Sequence, residues 1–255
     1  MALQTAYPLG RSNPIESVIS YQCRDVTCKV FTKLSVTKDQ LPTTNYQLQI
    51  TNYQSVMNLK LEPNKTALIC VDLQTGAFTG DCTLSYVGIA QLLPKAKRVL
   101  AAARQAKLPI IHCKEVHRKE MVDFGRELDG AEPIHCLETW ASTDYYCELA
   151  PIDGEFTISK RRYSCFFGTD LEILLRGLKV DTLVLIGMMT NVCVHYTAAD
   201  AHQHDYHFHV IEDCCSGSDW DAHWAALTAM EYLQTGARIS HAAFVEAISG
   251  KVPAA

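Results

Sequence analysis

The chain has 255 residues, 48% of them hydrophobic and 20% charged, with a formal charge of −5. That length suffices for one large domain or two small ones around a buried core, and the charge offers no basic footprint for nucleic acid or an anionic membrane. No run of about 18 apolar residues is present to span a bilayer. The opening "MALQTAYPLGRSNP" lacks the charged-then-apolar order of a secretory signal, so a cytoplasmic location is expected. Eleven cysteines, an odd number at irregular spacing, indicate reduced thiols rather than a disulfide framework. Cys23 with Cys28, and Cys214 with Cys215, lack a second pair at ligand spacing, so no zinc site is expected there.

Residues 1–60 are rich in Thr, Gln, Asn and Ser, and "YQLQITNYQSVMNLKLE" alternates in part, as a hairpin would. This segment reads as an extension that wraps the domain or a neighbouring subunit, or one poorly ordered at its start. From residue 61 onward a different rhythm holds. "TALICVDL" is a buried-strand run, "QLLPKAKRVLAAARQAK" has helical spacing, and "LPIIHC" is strand-like again. After a loop-rich middle come "GEFTISK" (strand), "DLEILLRGLK" (amphipathic helix) and "DTLVLIG" (strand). "NVCVHYTAADAHQ" (helix), "HFHVIEDCC" (strand) and "DAHWAALTAMEYLQ" (helix) complete the series. Alternation of this kind predicts parallel pairing through right-handed crossovers. The expected product, over residues 61–255, is a three-layer α/β/α sandwich on a mainly parallel, Rossmann-like sheet of six strands.

Such a sheet presents functional groups at the carboxyl ends of its strands. Asp72, Lys160 and Asp213 end strands, and Cys193 follows "VLIG" just inside a helix. Each has a plain alternative. A cysteine beside a strand packs as a small hydrophobe, the run Lys160-Arg161-Arg162 suits a solvated face, and a strand-end aspartate caps turns. Taken together, Asp72, Lys160 and Cys193 supply a base, an electrostatic support and a nucleophile. A helix amino terminus and a nearby ammonium both favour the thiolate, and a carboxylate within reach can take the thiol proton and later return it.

These segments resemble the isochorismatase-like cysteine hydrolases, a family that includes nicotinamidases, N-carbamoylsarcosine amidases, ureidoacrylate and biuret hydrolases, and isochorismatase itself. The matching text is "ALICVDLQTGAF", "ISKRRYSCFFGTDLEILLRGLKVDTLVLIGMMTNVCVHYTAADA" and "VIEDCCSGSD", within residues 64–248. The resemblance implies a triad of Asp72, Lys160 and Cys193, and a non-proline cis peptide between Met188 and Met189. It also implies an oxyanion hole made by the Met189 and Cys193 amides. The implied reaction is hydrolysis of an amide, ureide or carbamoyl C–N bond in a small molecule, through a thioester and without a cofactor. Two alternatives stay open: vinyl ether hydrolysis of the isochorismatase kind, and a non-catalytic interaction protein on the same fold. Family members commonly associate, so a homo-oligomer, dimer or tetramer, is expected.

The substrate is less legible. Nicotinamidases in this family carry a metal near the pocket on an Asp-x-His pair and a further His. This chain has Glu115-Val116-His117 in "HCKEVHRKEM" and no Asp-x-His, so no metal is expected. The stretch looks more like the ureido and biuret hydrolase branch. There, by resemblance, Gln234 falls where a glutamine contacts substrate, although near a helix end it also suits an exposed polar residue. Phe78, Tyr163 and Phe167 either wall the pocket or belong to the core. In "HQHDYHFH", His202, His204, His207 and His209 diverge in direction and do not converge on an ion.

Overall fold

The computed structural model describes residues 20–23, 26–29, 59 and 61–249, and the chain divides into two units between Val56 and Met57. In the first unit, β1 (Ser20–Cys23) and β2 (Val26–Lys29) pair antiparallel, Ser20 opposite Lys29. The hairpin expected over residues 46–62 falls, apart from its last few residues, outside those described.

In the second unit, the strands are β3 (Thr66–Val71), β4 (Ile110–Glu115), β5 (Phe156–Lys160), β6 (Thr182–Met188), β7 (His207–Ser216) and β8 (Arg238–Ile239). They form one sheet in the order β5-β4-β3-β6-β7-β8, every neighbouring pair parallel. The expected six-stranded α/β/α architecture is therefore the observed one. Its sixth strand is only the two-residue Arg238–Ile239, too short to carry a hydrophobic pattern.

The helices are α1 (Thr75–Thr79), α2 (Ile89–Gln105), α3 (Leu171–Leu178), α4 (His195–Gln203), α5 (Trp220–Leu233) and α6 (His241–Ser249). Strand side chains alternate between two faces, and both faces are covered. Ala67, Ile69 and Val71 of β3 pack with Leu171, Leu175, Ala198 and Leu227 from α3, α4 and α5. Leu68 and Cys70 pack on the other side with Leu92, Val99, Phe244 and Ile248 from α2 and α6. The periodicity of "QLLPKAKRVLAAARQAK" is explained here: Leu92, Ala96, Val99, Leu100 and Ala103 form the buried stripe of α2. α5 starts where the Asp219 side chain accepts a hydrogen bond from the Ala222 N–H at 2.8 Å, an N-cap.

Chain order runs outward from β3 in both directions, so the sheet reverses between β3 and β6. In open α/β sheets the crevice at such a reversal, above the strand carboxyl ends, is the binding position. One residue lets the two strands meet there. Gly187 has φ 126°, and a Cβ on it would lie 1.9 Å from the Val71 carbonyl oxygen. The β6–β7 register also shifts between Leu185 and Gly187, as at a bulge that re-aims a strand end.

Candidate active site

Four elements deliver side chains to the crevice. Asp72 follows β3 directly, with φ 51°, and its carbonyl accepts from the Gln74 N–H at 2.8 Å. Lys160 and Glu115 are the last residues of β5 and β4, and the parallel register sets them side by side. Past β6, the Met188–Met189 peptide is cis and leads into a single π-helical turn, Thr190–Val194, which carries Cys193. The Val194 N–H closes that turn on the Met189 carbonyl at 3.1 Å.

Lys160 is the hub. Its fully buried ammonium lies 2.8 Å from Asp72 Oδ2, 2.9 Å from Glu115 Oε2 and 3.4 Å from Cys193 Sγ. The thiol also donates to Glu115 Oε2 at 3.5 Å, and an Asp72 oxygen sits within 4.8 Å of the sulfur. The other Asp72 oxygen accepts from the Glu115 N–H at 2.8 Å, which fixes the carboxylate plane. The three residues expected to form a triad are thus together, joined by Glu115, which the sequence marks only as part of Glu115-Val116-His117.

The electrostatics separate the two carboxylates. Burial pushes Asp72 up to about 6, with Lys160 opposing and Glu115 adding to the rise. Glu115 is equally buried, yet Lys160, His117 and His135 outweigh burial and hold it well below the usual carboxylate range. Glu115 is therefore the standing anion and Asp72 the group poised to take a proton near neutral pH. For Lys160, burial alone would favour the neutral amine, but the surrounding anions raise it well above its ordinary value. Cys193 corrects an expectation. Burial pushes its thiol well up, Lys160 notwithstanding, and both carboxylates add to the rise. Desolvation and two nearby anions thus oppose the thiolate that one ammonium and a helix start favour.

A crevice open to solvent borders Asp72, Glu115 and Cys193. Tyr163 lines it as expected, alongside Gln74, Tyr86 and Glu132. The other proposed substrate contacts lie elsewhere. Phe78 stacks on Tyr146 with ring centroids 4.4 Å apart, Phe167 is 64% exposed, and neither lines the crevice. Gln234 closes α5 at the far end of the sheet, accepting from the Phe208 N–H at 3.0 Å and donating to the Phe208 carbonyl at 2.5 Å. Its role is to tie α5 to the start of β7. The His-rich run does diverge: His204 faces Glu172, while His209 Nδ1 pairs with the Gly236 carbonyl.

Behind Glu115 lies a cluster that spacing did not reveal. Glu115, His117, Glu127 and His135 are all buried, and their ligand-capable atoms lie within 4.8 Å of one another. His117 Nε2 is 3.4 Å from Glu115 Oε1 and 3.2 Å from Glu127 Oε2, and His135 Nε2 is 3.8 Å from Glu115 Oε1. Ligands about 2.1 Å from a tetrahedral ion stand about 3.4 Å apart, so this spacing suits a shared cation. Glu115 Oε1, His117 Nε2 and both Glu127 oxygens are buried without a hydrogen bond, as atoms awaiting a ligand would be, while His117 Nδ1 faces Asp123 Oδ1 at 3.5 Å. His135 Nδ1 is engaged by the Pro133 carbonyl at 2.7 Å, which leaves Nε2 for an ion. Two imidazoles and two carboxylates suit zinc, manganese or iron(II) better than calcium. These residues fit a metal, against the expectation of none. Without one, and against burial, Glu115 and Glu127 raise His117 to about 9.

Sheet order and crevice define the class: a Rossmann-like α/β domain with its candidate site at the strand reversal. The chain belongs to the isochorismatase family, since the Isochorismatase domain model matches residues 66–243. It is 31% identical to the maleamate amidohydrolase of Pseudomonas putida over 165 residues, covering 64% of this chain and 78% of the relative. It is also 31% identical to a ureidoacrylate amidohydrolase of Yersinia enterocolitica over 206 residues, covering 69% and 88%. Among solved structures, a cysteine hydrolase from Pseudomonas syringae superposes with a TM-score of 0.70 at 25% identity, covering 76% of this chain and 96% of that one. No helix among the described residues is long and apolar enough to cross a membrane.

Proposed function

We propose that the protein hydrolyses a C–N bond of a small amide or ureide, with Cys193 as nucleophile. The observation that carries this is the Lys160 ammonium held between Asp72, Glu115 and the Cys193 sulfur at 2.8, 2.9 and 3.4 Å, beside a crevice that opens on Cys193. Amidohydrolase names among the relatives point to the same bond type.

Asp72, near 6, is the group matched to removing the thiol proton at neutral pH. Lys160 stays charged and stabilises the thiolate as it forms. The sulfur adds to the carbonyl carbon, and the oxygen's new charge is taken by the Met189 and Cys193 amides, an arrangement in which one donor contributes on the order of 3 kcal/mol. Asp72 returns its proton to the leaving nitrogen, a thioester remains, and Asp72 then draws a proton from the attacking water and passes it to the departing sulfur as the C–S bond breaks and the acid is released. Glu115 holds Lys160 from the opposite side throughout and stays an anion. A divalent ion on Glu115, His117, Glu127 and His135 would act there as a Lewis acid toward a polar group of the substrate.

Cys193→Ala should lose ammonia release by at least a thousandfold while its circular dichroism and melting temperature stay near those of the parent. Turnover of an amide within tenfold of the parent would remove the thiol from the mechanism.

A further inference from the structure

We propose that the crevice selects an uncharged or cationic amide or ureide and rejects substrates that carry a carboxylate. This deepens the amidohydrolase reading and rests on it. It also parts this chain from the relatives named for maleamate and ureidoacrylate, both anions.

Asp72, Glu115 and Glu132 line the crevice as acids, and His135 is the only basic lining residue. No arginine or lysine side chain faces it among the described residues. Lys160 is fully buried and already spent on Asp72 and Glu115 at 2.8 and 2.9 Å. The two adjacent guanidinium groups are turned away. Arg161 reaches the Val116 carbonyl and Asp123, while Arg162 reaches the Asp123 carbonyl and stands 4.0 Å from Glu127. His135 has its Nδ1 on the Pro133 carbonyl, and its Nε2 is 3.8 Å from Glu115 Oε1. Its charge is answered by Glu115 when it is protonated. With a divalent ion in that cluster, its two positive charges and that of Lys160 would equal the three negative charges of Asp72, Glu115 and Glu127, leaving Glu132 uncompensated.

Glu132 makes no ion pair and no side-chain hydrogen bond among the described residues, and partial burial raises its carboxyl, with His135 opposing. Gln74 adds to the same polarity. Its amide nitrogen is committed to the Glu115 carbonyl at 2.9 Å and the Thr143 carbonyl at 2.7 Å, so its oxygen, with only the Cys136 thiol at 4.0 Å, is the end with accepting capacity to spare. The lining is thus rich in acceptors and poor in cationic donors. A carboxylate is normally met by an Arg fork or a Lys ammonium, and here it would meet carboxylates. The N–H groups of an amide, a ureide or an ammonium would find Glu132 and the Gln74 oxygen.

The test uses one matched pair, maleamide and maleamate, which differ by a terminal –NH2 against –O−. With the purified protein, before and after EDTA dialysis, kcat/KM from ammonia release is expected to be at least tenfold higher for maleamide. Glu132→Arg should reduce or invert that ratio by tenfold or more, with Glu132→Gln between. A preference for maleamate, or a ratio unmoved by Glu132→Arg, overturns the inference. Calorimetric binding of both compounds to Cys193→Ala separates the two layers. Tighter maleamide binding without turnover in the parent would remove the amidohydrolase reading and keep the charge selection; tighter maleamate binding, or binding of neither, removes the charge selection.

Discussion

Lys160→Met tests the centre of the structure. The substitution keeps most of the side-chain volume and deletes a fully buried ammonium that lies within 3 Å of two carboxylates, at 2.8 and 2.9 Å. Removing one partner of a buried ion pair costs about 3–5 kcal/mol, because the remaining charge is left in a medium of low dielectric constant. For a domain of this size each kcal/mol moves the melting temperature by roughly 2–4 °C, so a fall of roughly 6–20 °C is expected at pH 7.5. The pH dependence gives the sharper signature. Without the ammonium, Asp72 and Glu115 have folded-state pKa values raised above their unfolded ones. Their contribution is then fully present below the unfolded pKa, about 4, and lost as pH rises through the folded value. The deficit of the variant should therefore shrink between pH 7.5 and pH 5. Urea unfolding of both proteins at the two pH values measures it. A variant within 1 kcal/mol of the parent at both would refute the claim that this ion cluster is desolvated and mutually dependent.

Dialysis against zinc or manganese followed by elemental analysis should give about one ion per chain, and His117→Ala combined with Glu127→Gln should give none. Equal loading of the two proteins would remove the cluster as a metal site. Burial, with Arg238 assisting, holds the His223 imidazole down to about 4 beside Thr190 Oγ1 at 2.9 Å. Its stabilising contribution is complete above the unfolded value of about 6.5 and erodes as pH falls toward 4. In His223→Leu the slope of stability against pH in that window should fall by up to one proton, about 1.4 kcal/mol per pH unit. Gly187→Ala would set a methyl 1.9 Å from the Val71 oxygen at a φ of 126°. A loss on the order of 3 kcal/mol or more is expected, read as a lower melting temperature together with lost activity.

Much of this site was legible because parallel sheets simplify it. Once strands alternate with helices, all strand ends share one rim, and Asp72, Lys160 and Cys193 could be placed there from order alone. Glu115 escaped because β4 runs two residues beyond the apolar "LPIIHC", and a strand end is the least certain part of a pattern. A signal existed. Two of the six residues of Ile110–Glu115 that ought to be apolar are His112 and Glu115, both buried. His112 is answered by Glu155 at 3.0 Å, Glu115 by the lysine. Glu127 and His135 lie in the irregular segment between β4 and β5, where no periodicity constrains what meets what. Gln234 misled because a helix-end glutamine can turn in several directions, and only the α5–β7 contact fixes which. The ionisation of Cys193 was misjudged for a different reason: helix position is local, whereas desolvation is set by everything packed around it.

The sheet order also governs when this site comes into being. β3 takes its neighbour β6 from far downstream, Thr66 aligning with Thr182, while Glu115 and Lys160 arrive on the strands between. Closing so long a loop is slow compared with forming any one helix. A refolding chain should regain its helical signal well before its catalytic one, and a nascent chain still lacking β6 has no partial version of the site to offer.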